Sequence, residues 1–233
     1  MLRRIFLPAI LAGFAAGLLL TVLQGLTTVP LILEAETYET AGAAAGAASQ
    51  EPEAWAPADG LERFLYTGLA NVLIAVGYAL LLSACFALRG RPMDGRRGAV
   101  WGLAGFAVFS LAPALGLPPE VPGSMAAELA QRQGWWLATV AATGAGLWLV
   151  VFGRAHWQRG LGLIAIVAPH LVGAPHPAEI GGPVPPELAG HFAAAVLVTM
   201  AVFWVVLGWL AGALFARLEP DDQQASELAE EAT

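Results

Sequence analysis

Long uninterrupted apolar runs are the feature that most restricts how this chain can fold. The first extends from residue 5 to residue 33, which exceeds the roughly 20 residues that a helix needs to cross a hydrocarbon core. Hydrophobic residues make up 58% of the 233 positions and charged residues only 12%, whereas an ordinary soluble domain carries about twice that share of charge. We therefore predict an all-α, polytopic integral membrane protein whose partner along most of its surface is the lipid bilayer.

Six apolar segments are predicted to be transmembrane helices: about residues 5–33, 64–88, 99–117, 135–152, 161–174 and 188–216. The first is too long for the core of a secretory signal, which has about 7–15 apolar residues, so we expect a retained helix. Residues 1–218 then form one transmembrane domain with an outer loop at 34–62. Residues 219–233 are predicted to be a disordered, acidic cytoplasmic tail.

The predicted fifth span is short and ends in a proline-rich sequence. Leu161 to Gly173 gives thirteen residues, or about 20 Å of helix against a core of about 30 Å. Pro169 lies inside this segment, and Pro175 follows it closely. We predict a broken fifth helix, whose unpaired backbone groups must be buried in protein or face a water-filled cavity.

The arginines predict the orientation of the chain in the membrane. The sequence contains eleven basic residues, all of them arginine, and with six spans nine of the eleven fall on the side of the N-terminus. Since positive loops stay in the cytoplasm, we predict a multi-pass protein with both termini cytoplasmic. The nine are Arg3, Arg4, Arg89, Arg91, Arg96, Arg97, Arg154, Arg159 and Arg217.

Several functional classes are excluded by residue types that the chain lacks. Without lysine there is no phosphate-loop lysine and no Schiff-base chemistry. Cys85 is the only cysteine, so no cysteine-based zinc site can form. A net charge of −7 argues against nucleic acid as a partner. We predict a protein that is not an enzyme, binds no nucleotide and no nucleic acid, and holds no permanent cofactor.

Three candidate metal ligands surround the proline-rich break. His170, His176 and Glu179 lie on the predicted outer side, and imidazole and carboxylate groups both bind divalent transition metals. An ionisable group inside a span is costly and is therefore a functional hypothesis by default, which favours His170. The alternative is that His170 is a hydrogen-bonded packing residue and that the other two are polar loop residues.

Three further carboxylates are candidate ligands on the same predicted side. Glu36 and Glu39 would share one face if the first helix continued, and Glu120 follows two prolines at the exit of the third span. A solvated helix end and a structural turn are the alternatives. Gln24 and Asn71, in the outer halves of their spans, could line a vestibule with His170 or join two helices by hydrogen bonds.

Five sequence blocks resemble the CbtA family of predicted cobalt transporter subunits. The resemblance implies an inner-membrane protein that transports a divalent metal ion, Co²⁺, for cobalamin synthesis. It also implies a small one-span CbtB-like partner subunit. The blocks are Pro30–Glu39, Trp55–Arg63, Gly116–Gly123, Arg132–Trp136 and Pro169–Pro175.

Two other classes of function remain open at the level of sequence. One is a membrane scaffold or assembly protein without transport activity. The other is a haem-binding electron carrier with His170 and His191 as axial ligands. Metal uptake in cells with and without the protein tests the first alternative, and a Soret band tests the second.

Overall fold

The computed structural model describes residues 2–45, 57–177 and 181–217, and within these the chain forms helices and no strands. This confirms the all-α prediction. Glu179 and the predicted acidic tail lie outside the described residues. Seven helices follow in chain order: α1 Leu2–Leu26, α2 Thr28–Ala45, α3 Leu61–Arg89, α4 Gly95–Ala114, α5 Leu129–Phe152, α6 His156–Val172 and α7 Pro186–Arg217.

Five of these helices are long and apolar enough to cross a membrane: α1 from Ile5, α3, α4, α5 and α7. The predicted fifth span corresponds to α6, which has 17 residues and a length of about 25 Å. Five candidate spans are therefore found in the described chain, and the count of six remains a prediction. Helix α6 begins at His156, earlier than predicted, because the Gln158 side chain accepts hydrogen bonds from the backbone N–H groups of Arg154 and Ala155.

The predicted first span, residues 5–33, is divided between two helices. Helix α1 ends at Leu26 and α2 begins at Thr28. Pro30 has no backbone N–H to donate to a carbonyl of α1, and the Thr27 and Thr28 hydroxyls donate to carbonyls of the last turn of α1. The prediction of one helix over 5–33 is therefore wrong. Residues 34–45, predicted as loop, continue α2.

The proline-rich break that was predicted after the fifth span corresponds to the end of α6. Helix α6 continues through Pro169 to Val172 and stops at Gly173, whose φ of 88° belongs to the region that favours glycine. The Gly173 N–H donates to the Pro169 carbonyl at 3.0 Å. One proline removes one hydrogen bond of the helix, and the following turn still forms.

Glycines bring the helices into backbone contact in three antiparallel pairs. A Cβ on Gly17 of α1 would lie 2.6 Å from the Val72 Cα of α3, and one on Gly146 of α5 would lie 2.6 Å from the Gly162 carbonyl of α6. Small residues allow this approach, which maximises van der Waals contact in lipid. In the third pair, Gly98 and Gly102 of α4 face a pair of glycines on α7, Gly208 and Gly212.

Helices α1, α3, α4 and α7 form a bundle around the large buried side chains of Phe86, Phe203 and Trp204. The α5–α6 hairpin packs at its side. Helix α4 contains a π-helical turn at Ala107–Leu111, where the Phe109 ring stacks on Trp204 at 5.6 Å between centroids. The Trp204 Nε1–H donates to the Ser110 hydroxyl at 3.2 Å, so this buried indole donor is satisfied.

The contact between α4 and α7 predicts a position-specific effect of adding one methyl group. A Cβ on Gly208 would lie 2.8 Å from the Gly102 Cα, whereas a Cβ on Gly190 of the same helix meets nothing within 4 Å. Overpacking of this kind costs about 1–3 kcal/mol. We expect Gly208→Ala to lower the thermal unfolding midpoint in detergent by several degrees and Gly190→Ala to leave it unchanged. Equal midpoints for the two variants would contradict this packing.

Candidate functional site

Ionised side chains are separated between the two ends of the bundle. We call one the arginine end, which holds Arg89, Arg91, Arg96, Arg97, Arg154, Arg159 and Arg217. We call the other the acidic end, whose described carboxylates are Glu34, Glu36, Glu39, Asp59, Glu62, Glu120, Glu128 and Glu187. The acidic end carries two arginines, Arg63 and Arg132, and each of them is paired with a carboxylate.

Three chain segments meet at the acidic end and fix its shape. The Met125 N–H donates to the Gly181 carbonyl at 3.3 Å. A Cβ on Gly123 would lie 3.3 Å from the Glu39 Cβ and 3.5 Å from the Pro183 Cγ. Beneath them, Leu31 and Ala35 of α2 are buried against Val121, Leu188 and Phe192. This small core holds α2 against the start of α7, so Glu39 lies beside the segment that follows α4.

A cleft of about 720 Å³ opens at the acidic end between α4, α5 and α7. Its polar lining includes Glu120, Arg132, Gln133 and Ser110. The Glu120 Oε2 lies 3.2 Å from an Arg132 Nη atom, and about a third of each side chain is exposed, 32% and 33%. Such a partly solvated pair contributes about 0–1 kcal/mol to stability, so the carboxylate can exchange its partner at low cost.

Glu36 is held by a second arginine. Its Oε1 accepts a hydrogen bond from Arg63 Nη1 at 2.9 Å, and the Arg63 Nε lies 3.1 Å from Asp59 Oδ1. Two carboxylates therefore share one guanidinium, which leaves a net negative charge beside the middle of α2. Glu39 is exposed one turn further along the same helix.

His170 packs against an aromatic ring at the end of α6. Its ring centre lies 5.9 Å from that of Trp135 in an edge-to-face arrangement, and the Trp135 Nε1–H donates to the Pro169 carbonyl at 3.3 Å. His170 is half-buried, and His176 is exposed in the connection after Gly173. These contacts fit the packing alternative for His170, and they leave His176 accessible to solvent.

The predicted ligands are not gathered into one metal centre within the described chain. No three His, Cys, Asp or Glu side chains among the described residues lie close enough together to hold a metal ion. Glu36 and Glu120 pair with arginines, and His170 packs on Trp135. Histidine pairing on a haem also lacks support, since in the described chain α6, with His170, does not pack along α7, with His191.

A polar network inside the bundle joins three helices. Asn71 of α3 is buried and donates to Thr21 Oγ1 at 3.1 Å and to Gln24 Oε1 at 2.7 Å, both on α1. The Thr27 hydroxyl, in the connection after α1, lies 3.2 Å from the Thr199 hydroxyl of α7. Gln24 and Asn71 therefore satisfy each other, as expected for amides that join helices.

Sequence reasoning missed the pairing roles of Arg63 and Arg132. In the predicted orientation they are the two arginines outside the group of nine, and the sequence pattern assigns them no partner. The signal that could have identified them is their isolation among carboxylates, because an arginine near the membrane requires a counter-charge.

Comparison with known proteins identifies the family. Residues 2–216 match CbtA, described as "Probable cobalt transporter subunit (CbtA)". No curated protein and no solved structure matches the chain. Because the match covers nearly the whole sequence, this helical membrane protein belongs to the CbtA family of probable cobalt transporter subunits.

Proposed function

We propose that this protein is the membrane-embedded subunit of a transporter that takes up Co²⁺ for cobalamin synthesis across a bacterial inner membrane. The observation that carries the proposal is the CbtA match over residues 2–216. The family description as a subunit supports a partner, for which we propose a small one-span CbtB-like protein. A transport subunit of this kind is not an enzyme, and cobalt is its cargo and not a resident cofactor.

The charge distribution supports entry of the metal at the acidic end. Carboxylates there attract a dication and raise its local concentration, whereas guanidinium groups at the other end repel it. With the arginine end in the cytoplasm, the acidic end faces outward. An outward-facing acidic end favours uptake as the direction of transport.

Glu120 is the carboxylate that we propose to meet the metal first in the cleft. Binding of Co²⁺ there requires that Arg132 release Glu120, which the exposed, 3.2 Å pair allows. When no metal is bound, the Arg132 guanidinium pairs with the Glu120 carboxylate in place of the metal ion. Glu36, with Glu39, is proposed as a second carboxylate site on α2.

The histidines are proposed to supply nitrogen ligands at the same end of the bundle as these carboxylates. Co²⁺ accepts both imidazole and carboxylate, as do Ni²⁺ and Zn²⁺, so the ligand types agree with the cargo without selecting it. In this proposal exposed His176 and the neighbouring Glu179 capture the ion, and half-buried His170 receives it at the end of α6.

Neutralising Glu120 should reduce cobalt uptake. We expect Glu120→Gln to lower the initial rate at limiting cobalt roughly tenfold or more, the scale for losing a metal-site group, at unchanged membrane abundance. Arg132→Gln should keep uptake, since it removes only the competing cation. Glu187→Gln is the matched control, because Glu187 lies at the same end in the first turn of α7 and outside the cleft. Parent-like uptake by Glu120→Gln would assign Glu120 a structural role only.

Removing the two proposed histidine ligands should reduce accumulation further. We expect His170→Ala and His176→Ala to lower cobalt accumulation at equal abundance, with the larger effect at half-buried His170. His156→Ala, at the opposite end of α6, is the control. If the double variant accumulates cobalt like the parent, or if His170→Ala lowers only abundance through loss of its Trp135 contact, these histidines are not ligands.

The proposed orientation can be measured with single cysteines in a Cys85→Ser background. In spheroplasts, we expect Ala47→Cys to react with an impermeant thiol reagent and Ser226→Cys to react only after permeabilisation. The reason is the accumulation of arginines on one side. Reaction of both cysteines from outside would contradict cytoplasmic termini.

A further inference from the structure

A second cleft, of about 1060 Å³, lies at the arginine end between α3, α4 and α5. Helix α4 forms its floor, because within the described chain α3 and α5 do not pack along each other. The walls are apolar and open: Leu81, Val100 and Val151 line the cleft and are 53%, 65% and 61% exposed. The volume is at the upper limit of pockets that hold a whole organic ligand.

Among the described residues, the charged side chains that line this cleft are all arginines: Arg89, Arg91 and Arg97. Arg89 is the last residue of α3, Arg91 lies in the following connection, and Arg97 is in the first turn of α4. The positive charge is therefore at the level where these helices leave the hydrocarbon, with the apolar walls beyond it. A divalent cation is repelled by this arrangement, so the cleft does not belong to the proposed metal site.

The arginine side chains keep donors available for an anion. The Arg89 guanidinium stacks on Phe152 at 4.5 Å from the ring centre, and stacking uses the face of the group while its N–H donors lie in the plane. Arg97 donates to the Pro92 carbonyl and lies 3.6 Å from Asp94 Oδ2. Arg91 is exposed. Three guanidinium groups next to one carboxylate leave an excess of positive charge at the cleft.

We propose that this cleft binds one anionic phospholipid. Its phosphate contacts Arg89, Arg91 and Arg97, where guanidinium groups form paired hydrogen bonds with phosphate oxygens, and its acyl chains lie along the apolar walls of α3 and α5. Basic pockets between transmembrane helices bind anionic headgroups in this manner. A partner's apolar helix would fill the walls but would leave the three guanidinium groups without an anion.

The bound lipid would join the four-helix bundle to the α5–α6 hairpin. At this end the two are connected through few side chains, among them Arg89 and Trp101, which both contact Phe152. A lipid whose phosphate is held by Arg89 and Arg91 of the bundle, and whose acyl chains lie along α5, adds contacts between these parts. A lipid that binds the folded state and not the unfolded state raises the free energy of unfolding by mass action.

The test is thermal unfolding of the detergent-purified full chain with added phosphatidylglycerol, phosphatidylcholine or inorganic phosphate. We expect phosphatidylglycerol at about a hundredfold excess over its dissociation constant to raise the midpoint by roughly 5–10 °C. The other two additives should not raise it. Equal effects of the two lipids, or no effect of phosphatidylglycerol, would overturn the proposal.

Two pairs of arginine variants distinguish binding of the lipid in the cleft from a general attraction of anionic lipid to positive charge. Arg89→Gln with Arg91→Gln should abolish the shift, and Arg91→Gln alone, an exposed change in a connection, should reduce it. Arg96→Gln with Arg154→Gln removes the same charge from the same end outside the cleft and should keep the shift. Loss of the shift in this control pair would mean that the lipid effect is not specific to the cleft.

A third variant fills the apolar part without changing charge. A Cβ on Gly144, which lines the cleft, meets only the Val108 Cγ1 at 3.7 Å, so Gly144→Leu projects into the space. We expect this variant to lose the phosphatidylglycerol shift. A photo-crosslinker at Val100 should capture phospholipid in native membranes, and capture of polypeptide in its place would assign the cleft to a partner helix and overturn the lipid proposal.

Discussion

Backbone contact between glycines is the constraint on which the rest of this structure depends. In lipid there is no hydrophobic force between helices, so the bundle is held by close van der Waals approach at Gly98, Gly102, Gly208 and Gly212. Any side chain at these positions separates α4 from α7. Helices α4 and α7 also form walls of the cleft at the acidic end. The position of Glu120 therefore depends on these glycines, although they carry no functional group.

Charge is arranged to leave the hydrocarbon interior neutral. Inside the bundle the amides of Asn71 and Gln24 pair with each other, and most of the described guanidinium and carboxylate groups collect at opposite ends. Each arginine at the acidic end is paired with a carboxylate. Two chemically distinct clefts result, one lined by Glu120 with Arg132 and one whose charged side chains, among the described lining residues, are arginines.

The sequence predicted the helical membrane class well because apolar run length is a direct consequence of bilayer thickness. The end of α5 at Phe152 was predicted at the same residue, since the polar loop with Arg154 marks it. The division of the first apolar run into α1 and α2 at Thr27 is not apparent from the sequence. Pro30 lies close to it, but the run remains apolar on both sides. The pairs of Glu120 with Arg132 and Glu36 with Arg63 could not be predicted, since they depend on how separate segments meet.

The π-helical turn at Ala107–Leu111 adds one residue to a turn of α4. The glycines before it face α7, and Phe109 within it lines both clefts. The arginine-lined cleft and the cleft that holds Glu120 therefore have one aromatic side chain in common. A ligand that displaces the Phe109 ring in one cleft changes the volume available in the other, which gives the two clefts a physical route of communication.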